Sequence, residues 1–287
     1  MINNRRQFLK KTSSAFLGIT IIPRHIMGKG FTPPSDRFNI GVIGLGAQSG
    51  GLIERMSKIP EARVIAGCDI HQKRLNRFRE LMAKEYKKYE IKGAALVYED
   101  FDKLIENSNI DGVVVSTPDH WHAIPSINAM KAGKHVYCEK PLSHTINEGR
   151  IMEKTARKYK RILQTGSMQR SRRHFRRACE LVRNGYLGKI EKVWVEVGNP
   201  SAACNLPFQE TPDYLDWDRW LGPAPARSYH DLIVEKDWFP NWRWYREFGG
   251  GILSDWGAHM FDIVQWALGM DNSGPVKYEA PIEPTAS

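Results

Sequence analysis

Phe38-Asn39-Ile40-Gly41-Val42-Ile43-Gly44-Leu45-Gly46-Ala47-Gln48-Ser49-Gly50-Gly51 decides the fold. A strand-like apolar run feeds directly into a cluster of glycines, and a helix-like stretch, Leu52 to Lys58, comes next. Glycines at such a junction permit a tight turn. They also let backbone N–H groups close on a pyrophosphate at the positive end of the helix. The spacing is Gly44-x-Gly46, with Ser49 where a strict pattern has its third glycine and Gly50 one residue later. Leu45 and Gln48 share that turn. Glycine-rich turns are common, so the stretch needs support from residues further along the chain.

Arg63-Val64-Ile65-Ala66-Gly67-Cys68-Asp69 supplies it, a second strand ending in an acid about 20 residues on. Asp69 is placed to accept hydrogen bonds from both ribose hydroxyls of an adenosine and to repel a 2′-phosphate. That favours NAD over NADP, while Lys73 and Arg74 keep NADP open. The alternation continues with helices at 71–88, 101–106, 123–132 and 146–159, and strands at 94–98, 111–117 and 161–167. Strands alternating with helices imply an α/β, doubly wound parallel sheet of Rossmann type over residues 36–167. Three strand ends, Ser116-Thr117, Glu139-Lys140 and Gln164-Thr165, then converge on one crevice.

The net charge of +10 invites a nucleic-acid reading, but six of those charges lie in residues 1–30, which hold no acid. The remaining cluster, Arg170, Arg172, Arg173, Arg176, Arg177 and His174, spreads around a helix at 172–183, as a solvated face or anion site does. Cys68, Cys138, Cys179 and Cys204 show no paired spacing, so neither zinc nor a disulfide framework is implied. Asn4-Arg5-Arg6-Gln7-Phe8-Leu9-Lys10-Lys11 followed by the apolar run Ala15–Ile22 has the form of a signal peptide and is too short to span a membrane. Its Arg-Arg-x-Phe-Leu-Lys order resembles a bacterial twin-arginine signal, with Asn4 where Ser or Thr is usual. Residues 1–35 are therefore read as leader and linker, addressed to the export machinery and the periplasm. Export in the folded state suits a protein that carries a tightly bound nucleotide out with it.

Gly133-Lys134-His135-Val136-Tyr137-Cys138-Glu139-Lys140-Pro141-Leu142 is a short strand ending in a carboxylate, an amine and a proline. Taken with the glycine turn and Ser116-Thr117-Pro118-Asp119-x-x-His122, it resembles the Gfo/Idh/MocA family of glucose–fructose oxidoreductases and inositol dehydrogenases. The resemblance implies that Lys140 contacts the reacting hydroxyl and that Glu139 lies near the nicotinamide ribose. His122 matches the family histidine after the Thr-Pro turn. His120 is additional, a packing residue as readily as a functional one.

Residues 168–287 are read as a second, α+β domain that handles substrate. Lys189–Val197 alternates charged and apolar residues, as a half-exposed antiparallel strand does. A region rich in tryptophan and proline comes after it, with Trp217, Trp220, Trp238, Trp242 and Trp244. Most of these rings fill core, and Trp242, Arg243 and Tyr245 are the candidates to touch substrate. Asp216-Trp217-Asp218-x-Trp220-Leu221-Gly222-Pro223 resembles an exported, saccharide-handling subgroup of the family. Asp255 and His259 stand at i and i+4, with Ser254 as candidate N-cap. An acid one turn before a histidine fixes its tautomer and raises its basicity. Asp262, one turn further, leaves a metal site or a buried capping network as alternatives, but the family carries this Asp-x-x-x-His beside its lysine.

The resemblance then implies an NAD-dependent enzyme moving hydride between a secondary alcohol of a sugar, glycoside or cyclitol and a nicotinamide. Lys140, Asp255 and His259 are its catalytic groups. Two alternatives stand beside it: glycoside cleavage through transient sugar oxidation, known in the wider family, and ligand binding without turnover. The family's second domain is a large, open, mainly antiparallel sheet. Against it this sequence reads as C-terminally short, lacking strands that floor the substrate site and support homo-oligomers.

Overall fold

The computed structural model describes residues 36–235 and 241–279. The leader, Trp238 and residues 280–287 lie outside them. Six parallel strands form one sheet: β1 (Phe38–Ile43), β2 (Ala62–Cys68), β3 (Leu96–Tyr98), β4 (Gly112–Val115), β5 (His135–Cys138) and β6 (Leu163–Thr165). Their order is β3-β2-β1-β4-β5-β6. The chain reverses direction of progress between β1 and β4, which opens a crevice at their carboxyl ends.

Helices α1 (Ala47–Met56), α2 (Gln72–Lys88), α3 (Phe101–Glu106), α4 (Ala123–Lys131) and α5 (Ile146–Tyr159) connect the strands. β4 is buried along its whole length, so an unbroken Gly-Val-Val-Val run suits it. Two apolar clusters cover the faces of the sheet, one around Val115, Met130 and Met152, the other around Val42, Ile53 and Phe78. Leu75, Phe78, Met82 and Tyr86 give α2 its buried stripe. A reciprocal pair between Thr145 and Glu148 caps α5.

α1 begins at Ala47, not at Leu52, so Gly50 and Gly51 are helical. Space explains this, because a Cβ at Gly50 would meet nothing and at Gly51 only the flexible end of Arg55. The helix thus starts immediately after the second turn glycine and points its first N–H groups into the crevice.

Beyond β6 come α6 (Arg173–Arg183), α7 (Trp217–Leu221), α8 (Asp231–Val234), α9 (Gly251–Asp255) and α10 (Gly257–Ala267), with 3-10 turns at Met168–Ser171 and Asn241–Trp244. The strand expected at Lys189–Val197 does not form. This segment has no ladder partner, and Trp194 is 84% exposed. An alternating sequence becomes a strand only where another edge accepts its backbone groups. Among the described residues the second part offers only isolated bridges, Pro200 to Gly251 and Ala202 to Tyr245. Ser254 also departs from the expected cap. It sits inside α9, behind Gly250, and its hydroxyl donates back to Gly251 O at 3.4 Å.

A third apolar cluster, with Trp217, Trp220, Ile233, Trp242 and Phe248, fixes this part to the sheet domain. Phe248 is fully buried, edge-on to Trp220 at 4.9 Å and 5.3 Å from the His120 ring. Its carbonyl accepts from His120 N at 3.2 Å. Phe248→Ala is expected to lower stability by about 3–5 kcal/mol in denaturant titration. A loss below about 1 kcal/mol would show that the ring does not hold the two parts together.

Candidate active site

A cavity of about 430 Å³ occupies the crevice. At one end lies the glycine turn. Gly44 has φ +85°, and a Cβ there would stand 2.7 Å from Thr117 N and 2.8 Å from the Ser116 carbonyl, so only glycine fits. Ser116 Oγ donates to Gly44 O at 2.7 Å and ties the turn to the end of β4. Gly46 is different: a Cβ there would meet nothing within 4 Å and would project into open space at the N-terminus of α1. No side chain caps that terminus. Uncapped N–H groups beside such a space fit a pyrophosphate.

Asp69 lines the same end. Its carboxylate accepts from Leu45 N at 2.7 Å and His71 N at 3.0 Å, which holds it rigidly toward the cavity. Leu45 therefore contributes its backbone, while its side chain is core. Arg74 and Arg77 are pinned by carbonyls, donating to Val234 O at 3.0 Å and Leu45 O at 2.8 Å. The segment from Tyr214 to Glu235 touches this rim at both its ends. Gln72 N donates to Tyr214 O at 2.9 Å, and His71 Nε2 lies 3.4 Å from Glu235.

At the other end Lys140 Nζ donates to Asp255 Oδ1 at 2.7 Å and to Asp255 O at 3.0 Å. Arg243 Nε donates to the same Oδ1 at 3.2 Å, and its guanidinium stacks over Trp242. This differs from the expected Asp-to-His relay. Trp256, between α9 and α10, keeps helical dihedrals (φ −81°, ψ −32°), so Asp255 and His259 stay about one turn apart while the carboxylate bonds elsewhere. Two cations from elsewhere take the carboxylate instead. His259 is buried with Nδ1 lacking a partner. Burial, then Lys140, pushes its ring down to about 4, outweighing the pull of Asp255 and Asp262. A neutral imidazole with an open nitrogen beside an ammonium is an acid–base arrangement.

Glu139 sits between these ends, accepting from Gln48 Nε2 and Tyr137 OH at 3.2 Å each. The His122 ring nitrogens contact Pro141 O at 2.7 Å and Thr117 O at 2.9 Å, joining the turns after β4 and β5. His120 is packed between Trp220 and Phe248 and contacts Trp220 O at 3.0 Å, away from the cavity wall. Asp262 is gripped by Arg170 through two 2.7 Å hydrogen bonds. Among the described residues no cluster of three metal-ligating side chains exists. Of the basic cluster, Arg170, Arg176 and Arg177 are ion-paired and Arg172 reaches the cavity.

Trp242 and Arg243 line the cavity, whereas Gln164 and Tyr245 do not. Successive strand residues face opposite ways, and Gln164 lies on the exposed side of β6, its amide turned to Thr165 O. Tyr245 packs on the third apolar cluster. Asp119, Trp121, Gln169 and Arg219 also line the cavity. Asp119 stands in the Ser-Thr-Pro-Asp-x-x-His stretch without a role given to it there; for the others the signal was position, directly after β4 or β6 or in the tryptophan segment.

A parallel sheet in this order, a glycine turn, an acid ending β2 and a cavity at the switch point define a dinucleotide-binding protein of the Rossmann class. Residues 38–167 match the family model described as "Oxidoreductase family, NAD-binding Rossmann fold", and residues 181–286 its companion, "Oxidoreductase family, C-terminal alpha/beta domain". The chain belongs to the Gfo/Idh/MocA oxidoreductase family. It is 35% identical over 230 residues to a myo-inositol 2-dehydrogenase of Thermotoga maritima, covering 80% of this chain and 54% of that one. A glycosyl hydrolase family 109 protein of Solibacter usitatus is 34% identical over 153 residues, 50% of this chain and 34% of that one. The crystal structure of a probable dehydrogenase from Thermotoga maritima superposes with a TM-score of 0.54 at 27% identity, covering 81% of this chain and 55% of that one. The chain thus spans about half the length, or less, of these relatives.

The two turn glycines separate fold from binding. Gly44→Ala is expected to destabilise by about 1–3 kcal/mol, from the backbone conformation and the contact with Thr117. Gly46→Ala is expected to leave the melting temperature unchanged and to weaken NAD binding by calorimetry. Unchanged NAD affinity in Gly46→Ala would remove the pyrophosphate from this turn.

Proposed function

We propose that this protein is an exported oxidoreductase that carries NAD and moves hydride between that cofactor and a secondary alcohol of a sugar, glycoside or cyclitol. The observation that carries the reading is the meeting of Lys140 and His259 at the end of the cleft away from the glycine turn. Bound NAD would supply the hydride acceptor. Gly44, Gly46, Asp69, Thr117 and Glu139 are the residues to hold it, and the open Gly46 face with the unpartnered Thr117 hydroxyl fits that role. His259, neutral above about pH 4, takes the hydroxyl proton. Lys140 donates a hydrogen bond to the same oxygen and stabilises its developing charge. Asp255 holds the ammonium in place, and Arg243 holds Asp255.

Export rests on the twin-arginine-like leader. Tight cofactor retention is supported by the Tyr214–Glu235 segment, whose ends bond to Gln72 and lie against His71 beside Asp69. Redox-assisted glycoside cleavage is the second reading, favoured by the relatives named as glycosyl hydrolase family 109 proteins. It releases sugar without net accumulation of NADH.

Lys140→Ala and His259→Ala each test the reading. Reduction of the nucleotide by a panel of cyclitols and glycosides should slow by about 100-fold or more. Nucleotide affinity should stay within about threefold, since the phosphate cradle lies elsewhere in the cleft. Equal losses of reduction and affinity would assign both residues to structure.

A further inference from the structure

The relay residues leave an acidic group in their midst unused. Asp119 opens the 3-10 turn after β4, is 3% exposed, and lines the cavity together with Lys140, Arg243, Asp255 and His259. The groups acting on its carboxyl are charges: Asp255 from α9, Arg243 from the turn before it and Lys140 from the end of β5. Gly249 presses on it from the remaining side, where a Cβ would stand 3.2 Å from Asp119 Oδ2. Two carboxyls and two cations thus line one cavity. Lys140 and Arg243 both spend their hydrogen bonds on Asp255, not on Asp119.

We propose that Asp119 is a further acid–base residue of this cleft, holding the proton that an alcohol gives up on oxidation and returning it when a ketone is reduced. The inference rests on the oxidoreductase reading. In oxidation the C–H bond breaks with its electron pair passing to the nicotinamide. The O–H proton is taken by His259 and passes through water of the cavity that both residues line to the Asp119 carboxylate, and the C=O bond forms. Ketone reduction runs the same steps backwards, so the proton balances without leaving the cleft. Burial first, and then the Asp255 carboxylate, push the Asp119 carboxyl well above the usual carboxylate range, against Arg243 and Lys140. A group so placed takes a proton readily.

The test combines infrared titration with the pH profile of nucleotide reduction in the full chain. Wild type should show the C=O stretch of a protonated carboxyl that Asp119→Asn removes. Oxidation starts from ionised Asp119, so its rate should rise with pH through the Asp119 transition, above the limb near 4 that His259 alone gives. Asp119→Asn should slow reduction by about 100-fold, keep nucleotide binding, and move the acid limb down toward 4. Should Asp119→Asn not fold, Asp119→Glu carries the test, since it keeps a carboxyl and should displace the limb. An unchanged infrared band and an unchanged pH profile in the variant overturn the proposal. Failure of wild type to reduce its nucleotide with any alcohol, the band being present, overturns the oxidoreductase reading and the proton's destination with it. Normal reduction with no dependence on Asp119 overturns only the assignment of this residue.

Discussion

The ion pair between Lys140 and Asp255 joins residues 115 positions apart, and the cleft takes its form from it. Lys140 stands at the end of a sheet strand and Asp255 at the end of a helix in the second part of the chain. Both are largely buried, at 16% and 5% side-chain exposure. Burying two charges costs desolvation that their attraction only roughly offsets, so such a pair is poor evidence for stability. Its consequence is positional. It puts an ammonium at a fixed point beside His259 and closes the cavity at the end away from the glycine turn. Arg243 on the same oxygen keeps Asp255 compensated when the lysine turns to another partner.

The cavity therefore has two chemically different ends. Near Gly44 and Gly46 the protein offers backbone N–H groups, a helix terminus and an acid locked by amide hydrogen bonds. Near Lys140 it offers mobile protons: an amine, a neutral imidazole and a carboxyl. A long, two-ended ligand with phosphate in the middle matches that division. Glu139, tied to Gln48 on one side and Tyr137 on the other, marks the middle of the path.

Much of this was legible in the sequence, for identifiable reasons. β4 and β1 are buried on both faces and read as unbroken apolar runs, and the glycine turn comes after β1 without a gap. What the sequence hid depended on partners far along the chain. The i, i+4 spacing of Asp255 and His259 implies a hydrogen bond, but nothing local announces the two cations that claim the carboxylate. Lys189–Val197 has the composition of a strand, yet pairing needs an edge that the described residues do not supply. Gln164 is close to a strand end, but the twofold alternation of β6 turns it outward.

The most direct test of the account is the nucleotide content of the purified protein. The chain is purified from its native host, denatured, and the released material assayed by enzymatic cycling. Stoichiometric NAD or NADH is the predicted result, because the glycine turn and the amide-locked Asp69 together form a dinucleotide cradle. Protein that comes out empty, and binds no added dinucleotide, would contradict the account.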